Sequence, residues 1–390
     1  MGNLYCRASH PWIRSVSESP RELEDRSELV LKKVYFSPER RICLGASSLA
    51  ISAGRQFASE MGFEVVTPRT ANAAAYYGKL FQTWMTSDVF FAMYPYFGSP
   101  LTMSNPTRSV DRSLLPILRK MRKQVKSILY VVDFPLEQVW TSEDEAIVDN
   151  TGIALERTLF SEIDILLVVN HYMKDRIIEK YGVPENKIIE FEILDYIVDF
   201  EPPATRELKK TRTIATTSAY ARQDYILSWF KDVPRSPNIK WEFFGSDGEW
   251  IQSYGRDDMG SQPFMDPKSM AELLASNVDF GIICNKFDEK MDRYYNYVST
   301  SRLGTFMTAG VPVIVPTRSA YMSEVVRKFD IGWVFNSPQE LPSIIENITP
   351  AEYNHVRGHV LELGHRLKNG YFFKNAVTAA MGRLGFKPGD

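Results

Sequence analysis

The chain has 390 residues, too many for one ordinary hydrophobic core, so two domains of roughly 150 to 200 residues are expected. Lysine and arginine number 46 against 48 aspartates and glutamates, and the net charge of −2 provides no global field to recruit nucleic acid or an acidic membrane. The three cysteines, Cys6, Cys43 and Cys284, are widely spaced, which excludes a disulfide framework and a Cys-x-x-Cys metal site and fits a reducing cytoplasm.

Residues 1–38 are rich in Ser, Glu and Arg, with one weak apolar stretch at Leu29-Val30-Leu31, and read as an N-terminal extension. They contain no apolar core of signal-peptide length, and the chain has no apolar run near the roughly 18 residues of a transmembrane helix. Gly2 suggests a myristoylation start, but Cys6 stands where Ser or Thr is needed, so that reading is discarded.

From Arg41 the pattern is strand, small-residue loop, helix, strand. Ile42-Cys43-Leu44 is followed by Gly45-Ala46-Ser47-Ser48, a helical stretch through Met61, and Gly62-Phe63-Glu64-Val65-Val66. Further strands are predicted at Asp88 to Pro95, Ile128 to Val132 and Ile163 to Val169. The basic cluster Arg119-Lys120-Met121-Arg122-Lys123 reads as a solvated helix face. Paired prolines at Pro202-Pro203 stop regular structure and mark a linker, giving domains over 39–203 and 204–390.

A second series of strands follows at Thr213 to Thr216, Trp241 to Gly245, Val278 to Ile283, Val311 to Val315 and Gly332 to Val334. Two successive series of buried strands with helices between them imply an α/β protein of two doubly wound sheets, with a cleft between their carboxyl ends. Within the second series, Leu303, Phe306 and Met307 have helical spacing, Ala309-Gly310 stops the helix, and Val311 to Val315 is a buried strand. No Gly-x-Gly-x-x-Gly follows any predicted strand, which disfavours a dinucleotide-dependent oxidoreductase.

These stretches together resemble a known group, the bacterial glycosyltransferases that include the glucosyltransferase 3 type and the β-1,6-galactofuranosyltransferases. The likeness is carried by Gly45 to Ser48 with Gly62-Phe63, by Asn170-His171-Tyr172-Met173, by Leu194-Asp195-Tyr196, by Thr213 to Arg222, by the Ala-Gly helix, and by Ile348 to Tyr353 and Gly370 to Ala376. The chain departs from the family pattern at Ser218-Ala219-Tyr220, where Gly-Asn-Leu is usual, and at Ser299-Thr300-Ser301-Arg302, where Asn-Pro-His-Lys is usual. The resemblance implies a GT-B fold, two Rossmann-like domains facing across a cleft, with 39–203 on the acceptor side and 204–390 binding the nucleotide sugar. It implies transfer of a hexose, glucose favoured, from a UDP-sugar to a hydroxyl of a glycan or glycosylated protein in the cytoplasm. It also points to a homo-oligomer, since relatives assemble. The departures motivate an alternative, a catalytically silent GT-B partner or chaperone of an active transferase.

The chemistry requires a held diphosphate whose growing charge is neutralised by a metal or by cations and helix N-termini. No Asp-x-Asp triplet stands out. Asp164 and Asp257-Asp258 are isolated and Asp288 to Asp292 reads as a charged solvent loop, so metal-independent transfer with no cofactor is expected. Arg302 and Arg222 are the candidate diphosphate ligands, because a guanidinium forks onto phosphate oxygens and keeps its charge; each could instead pair with a local carboxylate. Ser301 could donate to phosphate or act as an N-cap, and Ser218 stands on the loop that carries Arg222.

Tyr294, Tyr295, Asn296 and Tyr297 could contact the nucleotide or fill the core. Gly245-Ser246 would let backbone approach the base or ribose, or form a simple turn. Gly45 and Ser47 would offer backbone amides to acceptor or donor phosphate. For the base that takes the acceptor proton, Asp133 at the end of a predicted strand is first choice, with capping of the next turn as its alternative role, and His171 is second.

Overall fold

The computed structural model describes residues 31–37, 46–68, 73–94, 125–134, 150–217, 223–245 and 249–387. Residues Lys32–Asp390 make one compact unit, and both sheets lie within it. The first sheet takes β1 (Lys33–Phe36), β2 (Glu64–Val66), β3 (Val89–Tyr94), β4 (Lys126–Val131), β5 (Ile165–Val168) and β6 (Ile188–Glu190) in the order β2-β1-β3-β4-β5-β6. All its pairings are parallel. The second takes β7 (Arg212–Thr217), β8 (Ile239–Phe244), β9 (Met259–Gln262), β10 (Phe280–Ile282), β11 (Val313–Pro316) and β12 (Gly332–Phe335) in the order β12-β11-β10-β7-β8-β9, again all parallel.

Parallel strands need crossover helices on both faces, and this explains why the central strands read as unbroken apolar runs. Every residue of β3, β5 and β11 is buried. The second sheet has the doubly wound order that reverses between its first and fourth strands, so its topological switch point lies between β7 and β10.

The strand Ile42-Cys43-Leu44 lies outside the described residues, and the sheet opens earlier, at Lys33–Phe36, inside the stretch read as an extension. Val34-Tyr35-Phe36 is too short an apolar run, behind two lysines, to stand out by pattern. The edge strands β6 and β9 carry no expectation from sequence; Met259-Gly260-Ser261-Gln262 is polar and half-buried throughout. The segment Asp288 to Asp292, read as a solvent loop, instead enters a helix, Glu289–Tyr297. There Arg318 grips Asp292 at 2.5 Å, a partner 26 residues away that local charge density could not reveal. The basic cluster Arg119 to Lys123 lies outside the described residues.

The crossing from the first sheet to the second is fixed by the long helix Pro350–Lys368. Its buried Arg357 donates to the carbonyls of Ala204 at 2.7 Å and Pro203 at 2.5 Å, and Lys368 donates to that of Phe200 at 2.9 Å. The last helix, Tyr371–Arg383, returns to the first lobe. Its Phe373 ring stacks on Phe91 at 5.6 Å between centroids and meets Tyr130 edge-on at 5.3 Å. The same ring closes on Tyr35 and Phe57. No described helix is long and apolar enough to cross a membrane.

Candidate functional site

The helix Ser301–Thr308 delivers Arg302 to the switch point. Thr300, with extended backbone (φ −93°, ψ 131°), is its N-cap and accepts from the Arg302 amide at 3.3 Å. Ser301 is the first helical residue and not the cap, because the Thr300 hydroxyl takes the capping bond; the Ser301 carbonyl accepts from Thr305. The helix stops at Ala309 and Gly310, the latter at φ +69°, where glycine is favoured.

Arg302 is half-buried and its guanidinium points at the exit of β10. Nη1 donates to the Cys284 carbonyl at 3.0 Å, Nη2 donates to Asn285 Oδ1, and Nε donates to Thr300 Oγ1 at 3.2 Å. Cys284 and Asn285 lie just past Ile283, at the exit of the strand that adjoins β7. The cation is therefore held at the switch point beside a helix N-terminus, on the Cys284 carbonyl, the Asn285 amide oxygen and the Thr300 hydroxyl. Burial pushes the Cys284 thiol well above its ordinary range despite the nearby Arg302, so it stands as a neutral thiol and not a nucleophile.

On the β7 side, the buried hydroxyls of Thr216 and Thr217 find no partner among the described residues. Arg222 and Ser218, on the loop after β7, lie outside the described residues, as do Ser246 and Gly45. Gly245 ends β8 at φ +84°, its amide bonded to the Gln262 carbonyl at 2.9 Å. Ser47 falls in the first turn of the helix Ala46–Glu60.

The Arg302 helix is clamped on two faces. A side chain at Gly304 would meet Tyr196 Cβ at 2.6 Å, and the Tyr196 hydroxyl lies 3.2 Å from Thr305 Oγ1. On another face, Gly364 of the helix Pro350–Lys368 packs directly on the Met307 carbonyl, leaving no room for a Cβ.

The aromatic segment before Arg302 forms the helix Glu289–Tyr297 and spans the two lobes. The Tyr294 hydroxyl donates to Asp133 Oδ1 at 2.7 Å, and Asp133, just beyond β4, also takes the Phe134 amide at 2.7 Å. The Asn296 carbonyl accepts from Asn170 Nδ2 at 2.9 Å, while the Asn296 side chain accepts from the Tyr321 amide at 3.4 Å. Tyr295 is buried against Tyr294, with ring centroids 5.2 Å apart. His171 opens the helix His171–Tyr181 on the first lobe, half-exposed, 3.9 Å from Glu324 of the second lobe. Asn170 caps that helix through the Met173 amide, and the neighbouring Tyr172 hydroxyl donates to Glu324 at 2.6 Å.

The carboxyl edges of β4 and β5 therefore face the helices that follow β10 and β11, and Asp133, Tyr294, Asn296 and His171 line that seam. Sequence reasoning missed Asn285, Thr300, Thr216 and Arg318. Only Thr300 had a local signal, a Thr two residues before the helix start read at Arg302. Arg318 follows β11, holds Asp292 and lies 4.5 Å from the Phe287 ring centre. The carboxylates read as isolated are engaged too: Arg256 clasps Asp258 at 2.6 Å, and Asp164 takes the Ser127 amide at 2.9 Å.

Two six-stranded parallel sheets with helices on their faces, meeting along their carboxyl edges, make a two-domain Rossmann-like fold of the GT-B type. Two solved structures share the fold. Sucrose-phosphate synthase from Thermosynechococcus elongatus superposes with a TM-score of 0.59 at 12% identity, over 91% of this chain and 99% of that one. The Anabaena protein HepE, solved in complex with UDP-glucose, gives 0.54 at 12% identity, over 90% and 99%.

Residues 215–380 match the family model of the glucosyltransferase 3-like C-terminal domain. Glucosyltransferase 3 of Streptococcus gordonii is 25% identical over 229 residues, 57% of this chain and 63% of that protein, so the match spans less than two thirds of its relative. The second lobe is thus similar to the C-terminal domain of glucosyltransferase 3-like proteins.

Proposed function

We propose that the protein is a glycosyltransferase that moves a hexose, glucose favoured, from a UDP-sugar to a hydroxyl of a glycan or glycosylated protein, without a metal ion. The observation that carries this reading is the Arg302 guanidinium, half-buried at the switch point of the second lobe and at the mouth of a helix. The family match of the second lobe and the UDP-glucose complex of a protein with the same fold support it.

In the proposed reaction the bond between the anomeric carbon and the diphosphate oxygen breaks, and UDP leaves with the electron pair. Arg302, with Arg222, Ser218 and Ser301, neutralises the charge that grows on that oxygen. Tyr295, Asn296, Gly245 and Ser246 are assigned to the nucleotide subsite, and Gly45 and Ser47 would offer backbone amides to acceptor or donor phosphate. The acceptor hydroxyl forms the new bond, and its proton passes to the Asp133 carboxylate, oriented by Tyr294. His171 is the second candidate for that proton, less favoured because it is half-exposed and faces Glu324.

The test is a screen of UDP-sugars for UDP release and for transfer to glycan acceptors, with and without chelator, alongside calorimetric titration of UDP. Turnover unaffected by chelator is expected. Turnover lost with chelator at an unchanged melting temperature overturns the metal-free mechanism, whereas UDP binding without turnover on any donor favours the silent partner.

A further inference from the structure

Away from the Arg302 site, three side chains of the second lobe converge from two elements. Asp330 closes the helix Ala320–Phe329 in the left-handed conformation (φ 49°, ψ 52°), its amide bonded to the Val326 carbonyl. That unusual backbone turns its carboxylate toward the helix Pro350–Lys368, where His355 and His359 sit four residues apart and therefore on one face. Asp330 Oδ2 lies 3.4 Å from His355 Nε2 and 3.0 Å from His359 Nδ1. The Asp330 carbonyl is 3.2 Å from the same His359 nitrogen.

We infer that Asp330, His355 and His359 form a binding site for a divalent transition-metal ion of the zinc type. A tetrahedral zinc with ligand bonds of about 2.0–2.2 Å sets donor atoms roughly 3.3–3.6 Å apart; the His355 separation of 3.4 Å matches this, and the His359 separation of 3.0 Å needs to open by a few tenths of an ångström. The three ligand atoms all lie within 4.8 Å of one another, so a modest turn of exposed rings completes the third edge. Two imidazoles with one carboxylate suit zinc, cobalt, nickel or copper, whereas calcium and magnesium prefer all-oxygen shells. The three side chains are 38–68% exposed, so ions have direct access and water takes the remaining position. An ion there would tie the turn before β12 to the helix that packs on Met307 and grips the interlobe linker, a structural role separate from chemistry at Arg302.

Cobalt(II) titration of the metal-stripped protein tests this, since tetrahedral cobalt absorbs strongly in the visible. One equivalent is expected to bind with that signature, to be displaced by zinc, and zinc is expected to raise the melting temperature. His355→Ala and His359→Ala should each abolish both effects, while His365→Ala, on the same helix, should retain them. Asp330→Asn, which tolerates the left-handed backbone, should retain the fold and lose the signature. Absence of the cobalt bands in the unaltered protein overturns the inference, as does their persistence in the His355 and His359 variants.

Discussion

Arg302 is bonded into the protein before any ligand arrives, and this sets what its replacement does. Arg302→Ala removes a charge-assisted contact and should weaken UDP binding by more than about 1 kcal/mol in calorimetry. It should also lower the melting temperature, because the Cys284 carbonyl and Asn285 lose a donor. Arg302→Lys keeps the charge but lacks the fork that reaches both acceptors and Thr300, so it should restore UDP affinity only in part. Unchanged UDP affinity in the alanine variant removes Arg302 from the site. At Asp133, the isosteric Asp133→Asn preserves an acceptor for Tyr294 and should leave the melting temperature and UDP affinity near the starting values. Its kcat should fall by roughly 10²–10⁴-fold, the usual worth of a general base; an unaltered kcat transfers that role to His171.

Among the elements, the helix carrying Arg302 is the one whose seating matters most, and glycine sets that seating on both sides. A methyl group at Gly364 would collide with the Met307 carbonyl, which is backbone and cannot turn aside. Gly364→Ala should therefore cost about 1–3 kcal/mol of stability, read by denaturant titration, and should weaken UDP binding by moving the helix. Gly304→Ala tests the opposite face, where rigid Tyr196 is the obstacle. If both variants bind UDP normally, this helix is not the phosphate-binding element.

The central strands and the helix stop at Ala309-Gly310 were legible because burial on both faces writes itself as β-branched runs. β6 and β9 were not, since an edge strand of three or four residues leaves too little pattern. Arg302 was marked in the sequence by its place at the start of that helix. The Tyr294–Asp133 and Asn170–Asn296 bonds join residues more than a hundred positions apart, and no local spacing encodes them. The charges of Glu289 and Asp292 misled for a related reason: the arginine that answers Asp292 comes from the far side of β11.

Across the whole molecule, Leu194-Asp195-Tyr196 couples the lobes. Tyr196 seats the Arg302 helix, and buried Asp195 accepts the amides of Phe373 at 2.6 Å and Phe372 at 3.4 Å at the start of the last helix. Burial raises its carboxyl from the ordinary 3.8 to about 8, outweighing the two amides and Lys374, which pull it down. Folding therefore takes up a proton between about pH 4 and pH 8. The contribution to stability is full below about pH 4 and is lost as pH rises through about 8. Asp195→Asn should flatten this dependence, making the variant more stable relative to the unaltered protein at pH 8.5 than at pH 5. A parallel pH profile for the two proteins excludes Asp195 as the titrating group.

The return of Phe373 to a nest of rings on the first sheet means that the order of synthesis and the order of assembly differ. A ribosome completes the first lobe's strands long before it supplies the side chain that fills them, so that lobe waits, underfilled, until residues 371–383 have been made. Residues 32–203 made alone should bind a hydrophobic dye and melt without cooperativity, and grafting 371–387 onto them should restore a sharp transition.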